Sequence, residues 1–86
     1  MIIDDQKPEI VYPTNWEYKI IGSDIDEMLK AVAESIEGIE YKVSPSNVSR
    51  GGKYYSLNVM LIVPTEYVRD LIFQNLSGHQ AIKVVI

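Results

Sequence analysis

An α+β fold is what the 86-residue sequence predicts, and three features predict it. Segments such as Tyr54–Val63 alternate their side chains with a period of two, the mark of a strand with distinct faces. Two other segments space apolar residues at i, i+3 and i+4, the mark of a helix with one buried stripe. Gly, Pro, Asn and Ser gather between these runs, where turns need them. Two helices with one apolar stripe each require a common surface, and a single sheet supplies it. With right-handed crossovers, the order β-α-β-β-α-β closes as a ferredoxin-like sandwich. Its four-stranded antiparallel sheet has strand order 4-1-3-2, with both helices on one face.

Residues 1–13 read as an extended N-terminal arm, and 14–86 as a single domain. The arm mixes Asp4, Asp5, Lys7, Pro8 and Pro13 with scattered apolar residues. Ile10, Val11 and Tyr12 are expected to dock, since three adjacent apolar residues are rarely left in water. From Trp16, the run WEYKII sets Trp16, Tyr18 and Ile20 against Glu17, Lys19 and Ile21, and Gly22 ends this first strand. Ser23 or Asp24 offers an N-cap for a helix with Ile25, Met28, Leu29, Val32 and Ile36 inward. Asp24, Asp26 and Glu27 suit the positive end of its dipole, and Gly38 closes it. Ile39–Ser44 alternate weakly as a second strand, and Pro45 through Gly52 is turn chemistry. The third strand, Tyr54–Val63, puts Tyr55, Leu57, Val59, Leu61 and Val63 on one face before Pro64 stops it. Thr65 caps a second helix with Val68, Leu71, Ile72 and Leu76 inward and Gly78 as terminator. Ala81–Ile86 returns as the last strand.

Composition narrows the function. The chain has 8 basic and 12 acidic residues, a net charge of -4, and no cysteine. Nucleic-acid binding draws on phosphate neutralisation by Lys and Arg, so an acidic chain without a basic block is a poor candidate. No window approaches the ~20 apolar residues of a membrane span. MIIDDQKPEIVYP has acids and a proline where a signal peptide needs a basic region and an apolar run. These features predict a cytoplasmic protein with no nucleic-acid or membrane partner.

Several residues invite a chemical reading. SRGGKYY, from Ser49, sets Gly51 and Gly52 between Arg50 and Lys53, and a nest of N–H groups there could hold an anion. A P-loop requires a helix immediately afterwards, whereas here a strand follows, so a plain hairpin bend is the better reading. His79, the only histidine, has no cysteine or second histidine to share a metal, and reads as a solvated or helix-capping residue. The paired acids Asp26 and Glu27 are explained by a helix N-terminus. No nucleophile, base and orienter fall together, and neither enzyme activity nor a cofactor or metal is expected.

The sheet's open face is more informative. Tyr54, Ser56, Asn58, Met60 and Ile62 are placed there from the third strand, Glu17, Lys19 and Ile21 from the first, and Lys83 and Val85 from the last. Ile21, Met60, Ile62 and Val85 would form an apolar patch rimmed by polar groups, a pattern that tends to mark contacts. RNA recognition on such a face stacks bases on several aromatics, and Tyr54 alone does not make that platform.

WEYKIIG (Trp16 to Gly22), SRGGKYYSLNV (Ser49 to Val59) and IKVVI (Ile82 to Ile86) resemble the YbeD-like family of small bacterial proteins. Its members look like aromatic-x-Tyr-Lys-Val-x-Gly, then Ser-x-x-Gly-x-Tyr-x-Ser, then Val-Lys-x-Val-Leu. Tyr18, Lys19, Gly22, Ser49, Gly52, Tyr54, Ser56, Lys83 and Val85 stand at the matching positions. Gly51 adds a glycine to that pattern, and Lys53 replaces a residue that is commonly uncharged. The resemblance implies a ferredoxin-like fold similar to ACT regulatory domains, in a family that is itself uncharacterised. The expected function is a non-enzymatic regulatory or protein-interaction module that meets an unidentified partner through the open face. The alternative is an ACT-like homodimeric domain binding a small-molecule effector.

Overall fold

The computed structural model describes residues 9–48 and 52–86. Its elements follow the predicted order: β1 (Thr14–Gly22), α1 (Ile25–Ser35), β2 (Tyr41–Val48), β3 (Tyr55–Val63), α2 (Glu66–Ser77) and β4 (Val84–Val85). The strands form one antiparallel sheet in the order β2-β3-β1-β4, the predicted 4-1-3-2 arrangement read from its other edge. The long β1–β3 pairing runs from Thr14↔Val63 to Gly22↔Tyr55 without a register break. Directly opposed residues share a face. Tyr18, Ile20, Leu57, Val59 and Leu61 therefore line one side, and they are buried with Met28, Val32, Ile72 and Leu76 of the helices.

Local chemistry starts and stops the helices as expected. The Asp24 carboxylate accepts a hydrogen bond from the Glu27 amide at 3.1 Å, and the Thr65 hydroxyl accepts one from Val68 at the same distance. Each satisfies an amide that has no partner within its own helix. Gly38 adopts φ 79°, the left-handed conformation that favours glycine after a helix. The α1 stripe is rotated from its predicted position. Met28, Ala31, Val32 and Ser35 are buried, whereas Ile25 and Leu29 are 38% and 41% exposed. Small Ala31 and Ser35 lie against the rest of the fold and leave the larger pair at the flank. Leu71 of α2 is likewise exposed, while Ile72 and Leu76 carry that helix's packing.

Two strand boundaries differ from expectation. β2 continues through Pro45 to Val48, and its pairing with β3 shifts register between those two residues. It lies on the border of the sheet, where a proline removes no hydrogen bond to a further strand. The predicted hairpin turn thus shrinks; Ser49, Arg50 and Gly51 lie outside the described residues, and Gly52 has φ 66°. The last strand is regular only at Val84 and Val85, flanked by backbone hydrogen bonds at Lys83 and Ile86, rather than over Ala81–Ile86. Ahead of β1, Tyr12 packs against the core, whereas Ile10 and Val11 are exposed.

Candidate functional site

The sheet has one face under the helices and, among the described residues, one that no helix covers. β1 and β3 place Glu17, Lys19, Ile21, Ser56, Asn58, Met60 and Ile62 on this open face, as their alternation predicts. Tyr54 immediately precedes β3 and is exposed. β2 adds Lys42 and Ser44, which lie opposite Met60 and Asn58. One row across the sheet therefore reads Glu17–Met60–Lys42, and the next reads Lys19–Asn58–Ser44.

The two expected contributors from the last strand are elsewhere. Val85 lies opposite Ile20 and packs against the core, so it belongs to the helix side. Lys83 borders a separate polar groove with Lys30, Glu34 and His79. The reason is one extra residue. The Lys83 amide donates to the Ile21 carbonyl, while Ile86 and Lys19 exchange both of their backbone hydrogen bonds, so three steps on one strand match two on the other. An added residue inverts the side-chain parity on either side of it. Val84 and Ile86 take the vacated places beside Ile21 and Lys19, and they are 46% and 70% exposed.

The resulting surface is apolar at two points and charged between them. Met60 and Ile62 form one exposed group on β3, and Val84 and Ile86, beside half-buried Ile21, form another at the β1–β4 border. A groove of about 980 Å³ opens along the first group, with Asn15, Glu17 and Lys42 at its margins. Among the described residues the ion pairs lie on the helices and at His79, and Glu17, Lys19 and Lys42 take part in none. At the centre of the face, Asn58 Oδ1 is shielded from water yet has no hydrogen-bond partner among the described residues.

His79 is a structural link. Its Nδ1 accepts the Ala81 amide at 3.2 Å, which leaves Nε2 to carry the proton toward Glu34 Oε1 at 2.8 Å. Among the described residues, no group of three or more His, Asp or Glu is placed to hold a metal.

Sequence reasoning missed a cluster built around Arg69 of α2. Its guanidinium lies 4.8 Å from the centroid of the Trp16 ring and donates to the Tyr12 hydroxyl at 2.8 Å, and its carbonyl accepts the Tyr18 hydroxyl at 2.5 Å. Asp70 at 3.0 Å and Glu66 at 3.7 Å complete its charge environment. The cluster fastens the segment ahead of β1 to the second helix. A tyrosine two residues before a strand and an arginine one turn into a helix carry no local signal of meeting.

Burial, aided by the nearby Asp70 charge and Tyr12, pushes the Tyr18 hydroxyl from 10.0 up to about 12, against the opposing pull of Arg69. The fold therefore holds the proton more tightly than the unfolded chain does. That contribution is complete below pH 10, shrinks as pH rises, and is gone once pH passes about 12. Tyr18→Phe is expected to remove this alkaline component and to lower stability near neutrality by about 0.5–1.5 kcal/mol, since the part-buried hydrogen bond to the Arg69 carbonyl is lost. Urea unfolding of both chains at a series of alkaline pH values measures the difference.

A profile described as "Protein of unknown function (DUF493)" matches residues 7–86. An uncharacterized protein of Helicobacter pylori (strain ATCC 700392 / 26695) is 39% identical over 75 residues, covering 86% of this chain and 86% of that protein. A UPF0250 protein of Leptothrix cholodnii is 26% identical over 81 residues, covering 90% and 89%. The solution structure of protein HP0495 from H. pylori superimposes with a TM-score of 0.84 at 30% identity, covering 100% of this chain and 94% of that one. The ACT domain from GTP pyrophosphokinase of Chlorobium tepidum aligns with a TM-score of 0.60 at 15% identity, covering 85% and 95%. At that identity the likeness shows a shared fold alone, and it assigns no ligand to this chain. No helix among the described residues is long and apolar enough to cross a membrane.

Proposed function

The chain belongs to the DUF493 family of proteins of unknown function, and from that premise we propose a non-catalytic interaction module that works through the open face of its sheet. The observation that carries this reading is the composition of that face. Ile62 and Ile86 are 56% and 70% exposed, Met60 and Val84 stand beside them, and the intervening charges have no ion-pair partner among the described residues. A solvated face of an antiparallel sheet ordinarily turns polar side chains outward. Apolar groups ringed by polar ones favour a partner that covers them. The regulatory role expected from the sequence would follow from what that partner does.

Placing a photo-crosslinking amino acid at Met60, and in a second chain at Tyr67 on the outer side of α2, tests the reading. Met60 is expected to capture protein in living cells, and Tyr67 is not. Capture from Tyr67 with none from Met60 would move the working surface to the helices.

A further inference from the structure

We propose that the occupant of the open face is a second copy of this chain, docked about a two-fold axis that runs along β3. This proposal rests on the reading of that face as an interaction surface, and it specifies the partner and the pairing. The argument starts from the row Glu17–Met60–Lys42, in which opposite charges flank a methionine one strand away on either side. Strands are spaced about 4.8 Å apart, so the two charges are equidistant from β3. A rotation of 180° about β3 lays the β1 of one copy over the β2 of the other. Glu17 of each protomer then meets Lys42 of its partner, twice, and Met60 and Ile62 meet their own counterparts between those pairs.

The next row lies on the same axis. Asn58 lies on β3, so the rotation brings it against Asn58 of the second protomer. The two Asn58 side chains then face each other across the axis. One operation thus supplies a partner for both charges. A two-fold interface must be self-complementary in this way, with i touching j and j touching i. The chain has a net charge of -4, yet the row Glu17–Met60–Lys42 is locally neutral. Within that row two copies therefore meet opposite charges, while Lys19 of the adjacent row comes over Ser44 of the second protomer. Stacked sheets stand about 10 Å apart and remain aligned to within about 30°, which preserves the central rows.

Sedimentation equilibrium of the full chain over a wide concentration range tests the proposal, with Glu17→Lys, Lys42→Glu and the double variant beside wild type. Both sites are exposed strand positions, and circular dichroism verifies that each variant folds. Wild type is expected to dimerise, and each single swap to raise the dissociation constant at least about tenfold by setting like charges face to face. The double variant recovers the wild-type affinity, because the two-fold restores opposite charges. A wild-type monomer at about millimolar concentration overturns the proposal, and so does a dimer indifferent to the swaps or not rescued by the double change. Capture of a different protein from Met60 by a monomeric chain removes only the second copy as occupant. No capture from Met60 at all removes the open-face reading itself.

Discussion

Leu57→Ala is expected to lower the unfolding free energy by about 2–5 kcal/mol, the range for a large apolar side chain cut back in a close-packed interior. Leu57 is 5% exposed and lies opposite Ile20, which is fully buried. An 86-residue chain has one modest core, so this loss approaches the whole of the about 5–15 kcal/mol that holds such a domain folded. Urea unfolding should show a lowered midpoint with an unchanged slope. Ile62→Ala, on the opposite face of the same strand, should stay within about 0.5 kcal/mol in the monomer. Equal effects at the two positions would contradict the assignment of faces.

Gly22→Ala should destabilise by about 1–3 kcal/mol or more, through crowding rather than through a cavity. Gly22 lacks the left-handed φ of Gly38, so its backbone would accept alanine. The obstacle is space. A β-carbon there would lie 2.5 Å from the Ala81 carbonyl oxygen and 2.9 Å from the Met28 side chain. Met28 is fully buried and cannot retreat, and the tighter contact is main chain. The connection between α2 and β4 would have to lift away from β1, weakening the hydrogen bond from the Lys83 amide to Ile21. Thermal unfolding measures the loss, and amide exchange at Lys83 locates it. Fast exchange confined to that connection would identify the close approach as the cause.

Much of this architecture was legible because its signals are local. The alternation of Tyr55–Val63 fixed the core face of β3, and the Asp24 and Thr65 caps marked where the helices begin. Strand order followed from connection rules applied to those elements. What escaped was decided by contacts between distant segments. The parity of β4 depends on an extra residue that is visible only against β1, and it exchanged Lys83 and Val85 for Val84 and Ile86 on the open face. Pro45 reads as a turn residue until β2 is known to be a border strand. The α1 stripe was drawn through its large residues, but Ala31 and Ser35 are buried in place of Ile25 and Leu29. For the candidate site, Lys19, Ile21, Ser56, Asn58, Met60 and Ile62 were all placed correctly by periodicity. Lys42, and so the row that gives the face its symmetry, emerged only with the register of β2.

The borders of the sheet have a consequence for storage and overexpression. Amyloid grows when a long, regular strand margin templates the next chain. One margin here is interrupted at Pro45, and the other offers only Val84 and Val85. Neither is a good seed, so crowding alone should not convert the native protein into fibres.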